Sequence, residues 1–82
     1  MAYQEIGEKI KVLAMFKNGT VFPRVFDWNN RRHTVDKVNL SYQEREGGSV
    51  SYFFAIEANG LVAKIKYNDE SLIWTVEEIW VN

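Results

Sequence analysis

Asparagine and glycine interrupt this chain at short, nearly even intervals: Asn18-Gly19, Asn29-Asn30, Gly47-Gly48, Asn59-Gly60 and Asn68-Asp69. Both residues tolerate the positive φ of two-residue hairpin turns, which are favoured because their twist matches that of antiparallel strands. Five reversals predict six strands. Between them the side chains alternate with a period of two, as a ribbon with one buried and one solvated face requires.

The faces can be read segment by segment. Ile10, Val12, Ala14 and Phe16 oppose Lys9, Lys11, Leu13, Met15 and Lys17, and the first set is assigned to the core. Over 20–28, Phe22, Phe26 and Trp28 share a side with Thr20 and Arg24. Pro23 has no N–H for a central ladder, so it predicts a bulge, a break or an outward-pointing nitrogen. Over 31–45 the apolar positions change phase between Val35 and the set Val38, Leu40, Tyr42, which predicts a one-residue bulge near Asp36 or Lys37. Segment 49–58 reads as the central strand, with Val50, Tyr52, Phe54 and Ile56 on one side and Phe53 as an odd aromatic on the other. Leu61, Ala63, Ile65 and Tyr67 oppose Val62, Lys64 and Lys66 in the clearest alternation of the chain.

The last segment, 72–81, alternates through Leu72, Trp74 and Val76 but also places Ile73, Val76, Ile79 and Trp80 at helical spacing. Its β-branched and aromatic content and its lack of an N-cap favour a strand, bulged at Glu77-Glu78. Residues 1–8 are polar and short, and read as a frayed tail or a single helical turn.

With 82 residues there is room for one domain, 1–82, burying about 63% of its unfolded surface. An open six-stranded sheet leaves too much apolar area wet, and the chain has no substantial helix to cover it. The expected fold is therefore all-β, a six-stranded antiparallel meander curled into a small barrel or half-barrel. The absence of cysteine excludes disulfides and thiol chemistry and points to a reducing, cytoplasmic setting. No apolar run reaches the length of a membrane span and Met1–Glu8 lacks a leader pattern, so neither a membrane partner nor a signal peptide is expected.

The inventory argues against an enzyme. His33 is the only imidazole, and nothing in the sequence brings Ser41, Ser49, Ser51 or Ser71 beside it. Glu77 and Glu78 point to opposite faces of a regular strand, Asp27 and Asp36 have basic neighbours as ion-pair partners, and Gly47-Gly48 leads into a strand rather than a helix N-terminus. No catalytic residue, metal site or cofactor is expected.

Charge is more informative. Lys9, Lys11, Lys17, Arg24, Arg31, Arg32 and Lys37 face only Asp27 and Asp36 in residues 9–37, whereas residues 38–82 are net acidic. The basic hairpin 22–37, with Arg24, Trp28, Arg31, Arg32 and His33, has the composition of a weak, salt-sensitive surface for single-stranded nucleic acid. The final strand is apolar on both faces, which is unusual for a solvated edge and predicts that a protein partner or second copy covers it through Trp74, Ile79 and Trp80. The leading expectation is thus a non-enzymatic protein-interaction or self-association module, a homodimer being one form, with nucleic-acid binding as the alternative.

The hairpin Pro23-Arg24-Val25-Phe26-Asp27-Trp28-Asn29-Asn30-Arg31-Arg32-His33-Thr34-Val35, the strand Tyr52-Phe53-Phe54 and the ending Ile73-Trp74-Thr75-Val76-Glu77-Glu78 resemble short bacterial proteins of uncharacterised function. The likeness runs from Ile10 to Trp80, with Asn30 where a turn glycine is expected. It implies the β fold and adds no site.

Overall fold

The computed structural model describes residues 2–81. Seven strands run β1 (Ala2–Lys17), β2 (Thr20–Trp28), β3 (Arg31–Thr34), β4 (Lys37–Glu46), β5 (Ser49–Ala58), β6 (Leu61–Asn68) and β7 (Ile73–Val81). They form one antiparallel sheet in the order β3-β2-β1-β7-β6-β5-β4, curled into a half-barrel. Among the described residues no helix is long and apolar enough to cross a membrane.

The turns explain the meander. Asn18-Gly19, Asn29-Asn30 and Asn59-Gly60 each hold positive φ at both positions, the mirror-image turn that suits twisted hairpins. Asn68-Asp69 differs, because the loop runs on to Leu72, whose N–H donates to the Asn68 carbonyl at 2.9 Å. Leu72 adopts φ 61° with its side chain 67% exposed, so a left-handed backbone is held without compensating burial. Leu72→Gly is expected to stabilise the fold by about 0.5–1 kcal/mol, read as a higher urea midpoint at unchanged slope. A lower midpoint would show that the leucine side chain holds the loop.

Seven strands appear instead of six because the third segment breaks at Val35-Asp36. The Val35 N–H donates to the Arg24 carbonyl and the Asp36 N–H to the Glu57 carbonyl, both at 2.8 Å, so one dipeptide ties the two margins of the sheet together. The Asp36 carboxylate also accepts the Asn59 N–H at 3.0 Å. Elsewhere the margins part, leaving a slot of about 150 Å³ between Thr20-Val21 and Ser41–Gln43. The bulge itself lies at Asn39, between the pairs Val38↔Ile56 and Leu40↔Ala55. It turns Leu40 and Tyr42 onto the convex face.

Further bulges bend the sheet. Arg24 is the extra residue between Leu13↔Val25 and Ala14↔Pro23, which accommodates the proline and puts Phe22 on the opposite face from Phe26 and Trp28, correcting their assignment to one side. Glu77 is left out of both of its ladders, opposite Ile6 and Gly7, and Gly7 takes φ 67° there. The strand reading of the C-terminal segment and its bulge therefore stand.

Two expectations are overturned. Residues 2–8 are not a tail: Ala2–Glu5 pair with Glu78–Val81 in the ladder that joins the two ends of the chain. Nor is β7 an edge, since it lies in the middle of the sheet between β1 and β6. Its concave side, with Trp74, Val76 and Ile79, faces the core, while Thr75, Glu78 and Trp80 lie on the convex side.

The core fills the concave side, with Phe26, Ile56, Ile65 and Val76 almost completely buried. Phe53 is buried on the convex side, stacked on Tyr42 at 4.9 Å and roofed by the Lys64 and Lys66 ammoniums at 5.3 and 5.8 Å. The Tyr42 hydroxyl, aided by the charges of Glu78 and Glu44, holds the Lys64 amine above its ordinary pKa against the opposing effect of burial.

Candidate functional site

The β1–β2 ladder ends at Lys11↔Asp27, and from Ile10 backwards β1 is paired on its other margin with β7. The tip of the β2–β3 hairpin therefore stands away from the first half of β1. Between them lies an open cleft of about 710 Å³, with Glu8, Lys9, Ile10 and Lys11 on one wall and Asp27 to Arg32 on the other. The Trp28 indole N–H donates to Glu8 Oε1 at 3.1 Å, which fixes the ring across the cleft. Arg32 donates to Asp27 Oδ1 at 3.1 Å.

Both carboxylates of the cleft are thus engaged. Lys9, Lys11 and Arg31 form no salt bridge among the described residues. Three cations and one aromatic ring are left to meet a ligand, so the hollow favours an anion that also presents a flat face.

The structure gathers only some of the residues singled out in the hairpin. Trp28, Arg31 and Arg32 line the cleft, whereas Arg24 lies at the bulge toward the other end of the hairpin. His33 faces inward, stacked on Phe26 at 4.9 Å and 17°. Neither of its buried ring nitrogens meets a hydrogen-bond partner among the described residues. The imidazole packs as a flat ring against Phe26 and is not among the residues that line the cleft. Lys9 and Lys11 were not singled out as binding residues. Counting strand register back from Asn18-Gly19, with one extra residue after Pro23, would have placed Lys11 opposite Asp27.

The C-terminal aromatics are placed differently from one another. Trp74 is buried between Tyr67 and Phe54, at 4.7 and 5.9 Å, and Ile79 is buried farther along β7 in the same core. Neither is available to a partner, because the central position of β7 closes the face they occupy. Trp80 is half-buried on the convex side against Tyr3, at 5.3 Å. Loss of hydration, then the charges of Glu78 and Glu5, raise the Tyr3 phenol above its ordinary pKa.

A second surface was not anticipated. On the convex face of β1–β2 the pairs Leu13↔Val25 and Met15↔Phe22 lie one above the other. Leu13, Met15 and Phe22 are 69%, 47% and 42% exposed. Lys11 and Lys17 flank them on β1 and Arg24 on β2, all exposed. Leu13 and Met15 already fall on the lysine side of the alternation, which is the sequence signal for this patch. No protein-family model, curated protein or solved structure matches the chain.

Proposed function

We propose that this protein is a non-enzymatic self-association module that meets a second copy of itself through the convex face of the β1–β2 hairpin. The observation that carries this reading is the contiguous apolar patch of Leu13, Met15 and Phe22, a large bare surface on so small a domain. The charge pattern supports a particular arrangement. A two-fold contact of this patch with itself would set its basic rim against the same rim, whereas the acidic half of another copy, with Glu44, Glu46, Asp69 and Glu70, complements it. The contact is therefore head-to-tail.

Sedimentation over a concentration series tests the reading. Association is expected at low salt and is expected to weaken as salt rises. Leu13→Lys combined with Phe22→Lys is expected to weaken it roughly tenfold or more, since central apolar contacts dominate such interfaces. Trp80→Glu serves as the comparison. A chain that stays monomeric at every concentration overturns the reading, as does association lost with Trp80→Glu but untouched by the hairpin substitutions.

A further inference from the structure

We infer that the cleft at the β2–β3 tip binds single-stranded nucleic acid, at a site that shares only Lys11 with the rim of the self-association face. Its two walls present different chemistry: Lys9 and Lys11 come from β1, while Trp28 and Arg31 come from the hairpin. Phosphates on both sides of a stacked base would meet cations from both walls. Asp27 is paired with Arg32, and Glu8, held by the neutral Trp28 indole, keeps its charge but is outnumbered by Lys9, Lys11 and Arg31, so the cleft stays net positive toward the backbone. The Asn29 and Asn30 amides at the tip offer donors and acceptors to a base edge.

An unpaired base is required, because only a splayed base can reach the Trp28 ring in a hollow between two strands. A duplex offers phosphates but keeps its base faces stacked. The acidic half of the molecule, residues 38–81, repels a polyanion that extends beyond the cleft, so the site holds a short stretch. About three phosphate contacts give a log–log salt slope near −2 for a single strand, so a fourfold rise in salt weakens binding by roughly 20-fold.

The test is a titration of the ¹⁵N-labelled chain with a short oligothymidylate at low salt, with thymidine monophosphate, a DNA duplex and inorganic polyphosphate as parallel arms. Of the three indole signals that of Trp28 is expected to move, with the amides of Lys9–Lys11 and Asn29–Arg31, while buried Trp74 stays still. Lys9→Ala with Arg31→Ala removes two exposed side chains without touching the core. It is expected to weaken binding roughly tenfold and to flatten the salt slope by about 1.4. Arg24→Ala, outside the cleft, should change neither the chemical shifts at the tip nor the slope by more than a small fraction. The inference is overturned by an unmoved Trp28 signal, by polyphosphate or duplex binding as tightly as the oligonucleotide, or by full affinity in the Lys9/Arg31 variant.

Discussion

A chain lacking residues 2–7 is expected to lose cooperative folding altogether. These residues supply the pairs Ala2↔Val81, Tyr3↔Trp80, Gln4↔Ile79 and Glu5↔Glu78, and Ile6 packs against the core. Without them the middle strand of the sheet loses part of its β1 margin, bares unpaired N–H and C=O groups, and uncovers Ile79 beneath. A domain of this size has about 5 kcal/mol of stability to lose. Loss of one partially buried isoleucine and several ladder hydrogen bonds, at about 1 kcal/mol each, consumes most of it. Thermal melting followed by far-ultraviolet circular dichroism should show no sigmoidal transition, where the full chain shows one. A two-state melt within a few degrees of the full chain would mean that the first half of β1 is not part of the stable sheet.

Asn68→Ala carries the next largest expected effect, about 3 kcal/mol of destabilisation. The Asn68 amide donates to the hydroxyls of Ser49 and Ser51 at 3.1 and 3.2 Å, and Ser51 is wholly buried. Its carbonyl oxygen accepts the Glu70 and Ser71 N–H groups at 3.1 and 2.9 Å, and the Ser71 hydroxyl at 3.1 Å. One side chain thus pairs two polar groups on β5 and shapes the loop leading to β7. Alanine leaves the buried serine hydroxyl without its donor, at roughly 1–3 kcal/mol, and removes the side-chain turn. Asn68→Asp keeps the acceptor for the loop but not the amide donor, so it should fall between alanine and the parent in a denaturant titration. An aspartate variant no more stable than alanine would assign the whole effect to the serine contacts.

Local rules carried much of the fold. Asn59-Gly60 and the alternation of Leu61, Ala63, Ile65 and Tyr67 define the β5–β6 hairpin with no help from distant residues, and it forms as they imply. Pro23 signalled an irregularity, though not the change of face it imposes on Phe22, and the phase shift between Val35 and Val38 was visible but became a break with a bulge three residues on. What escaped is non-local. Nothing in the polar stretch Tyr3-Gln4-Glu5 signals a strand, because its partner lies more than seventy residues away and a ladder needs only backbone groups on that margin. Once that partnership is missed, the apolar β7 looks like an exposed edge, and Trp74 and Ile79 look like contact residues. The candidate cleft was half legible for the same reason: Trp28, Arg31 and Arg32 are neighbours in sequence, while Lys9 and Lys11 arrive through register.

The partnership of the first strand with the last also governs how the molecule comes into being. Its closing ladder has nearly the greatest sequence separation the chain permits, so contact order is high and folding is expected to be slow for so small a protein. On the ribosome, the β5–β6 hairpin can form alone, but the start of the first strand waits for a mate that is synthesised more than seventy residues later. Throughout that interval the apolar side of the growing ribbon is wet, and a chaperone has its opportunity then.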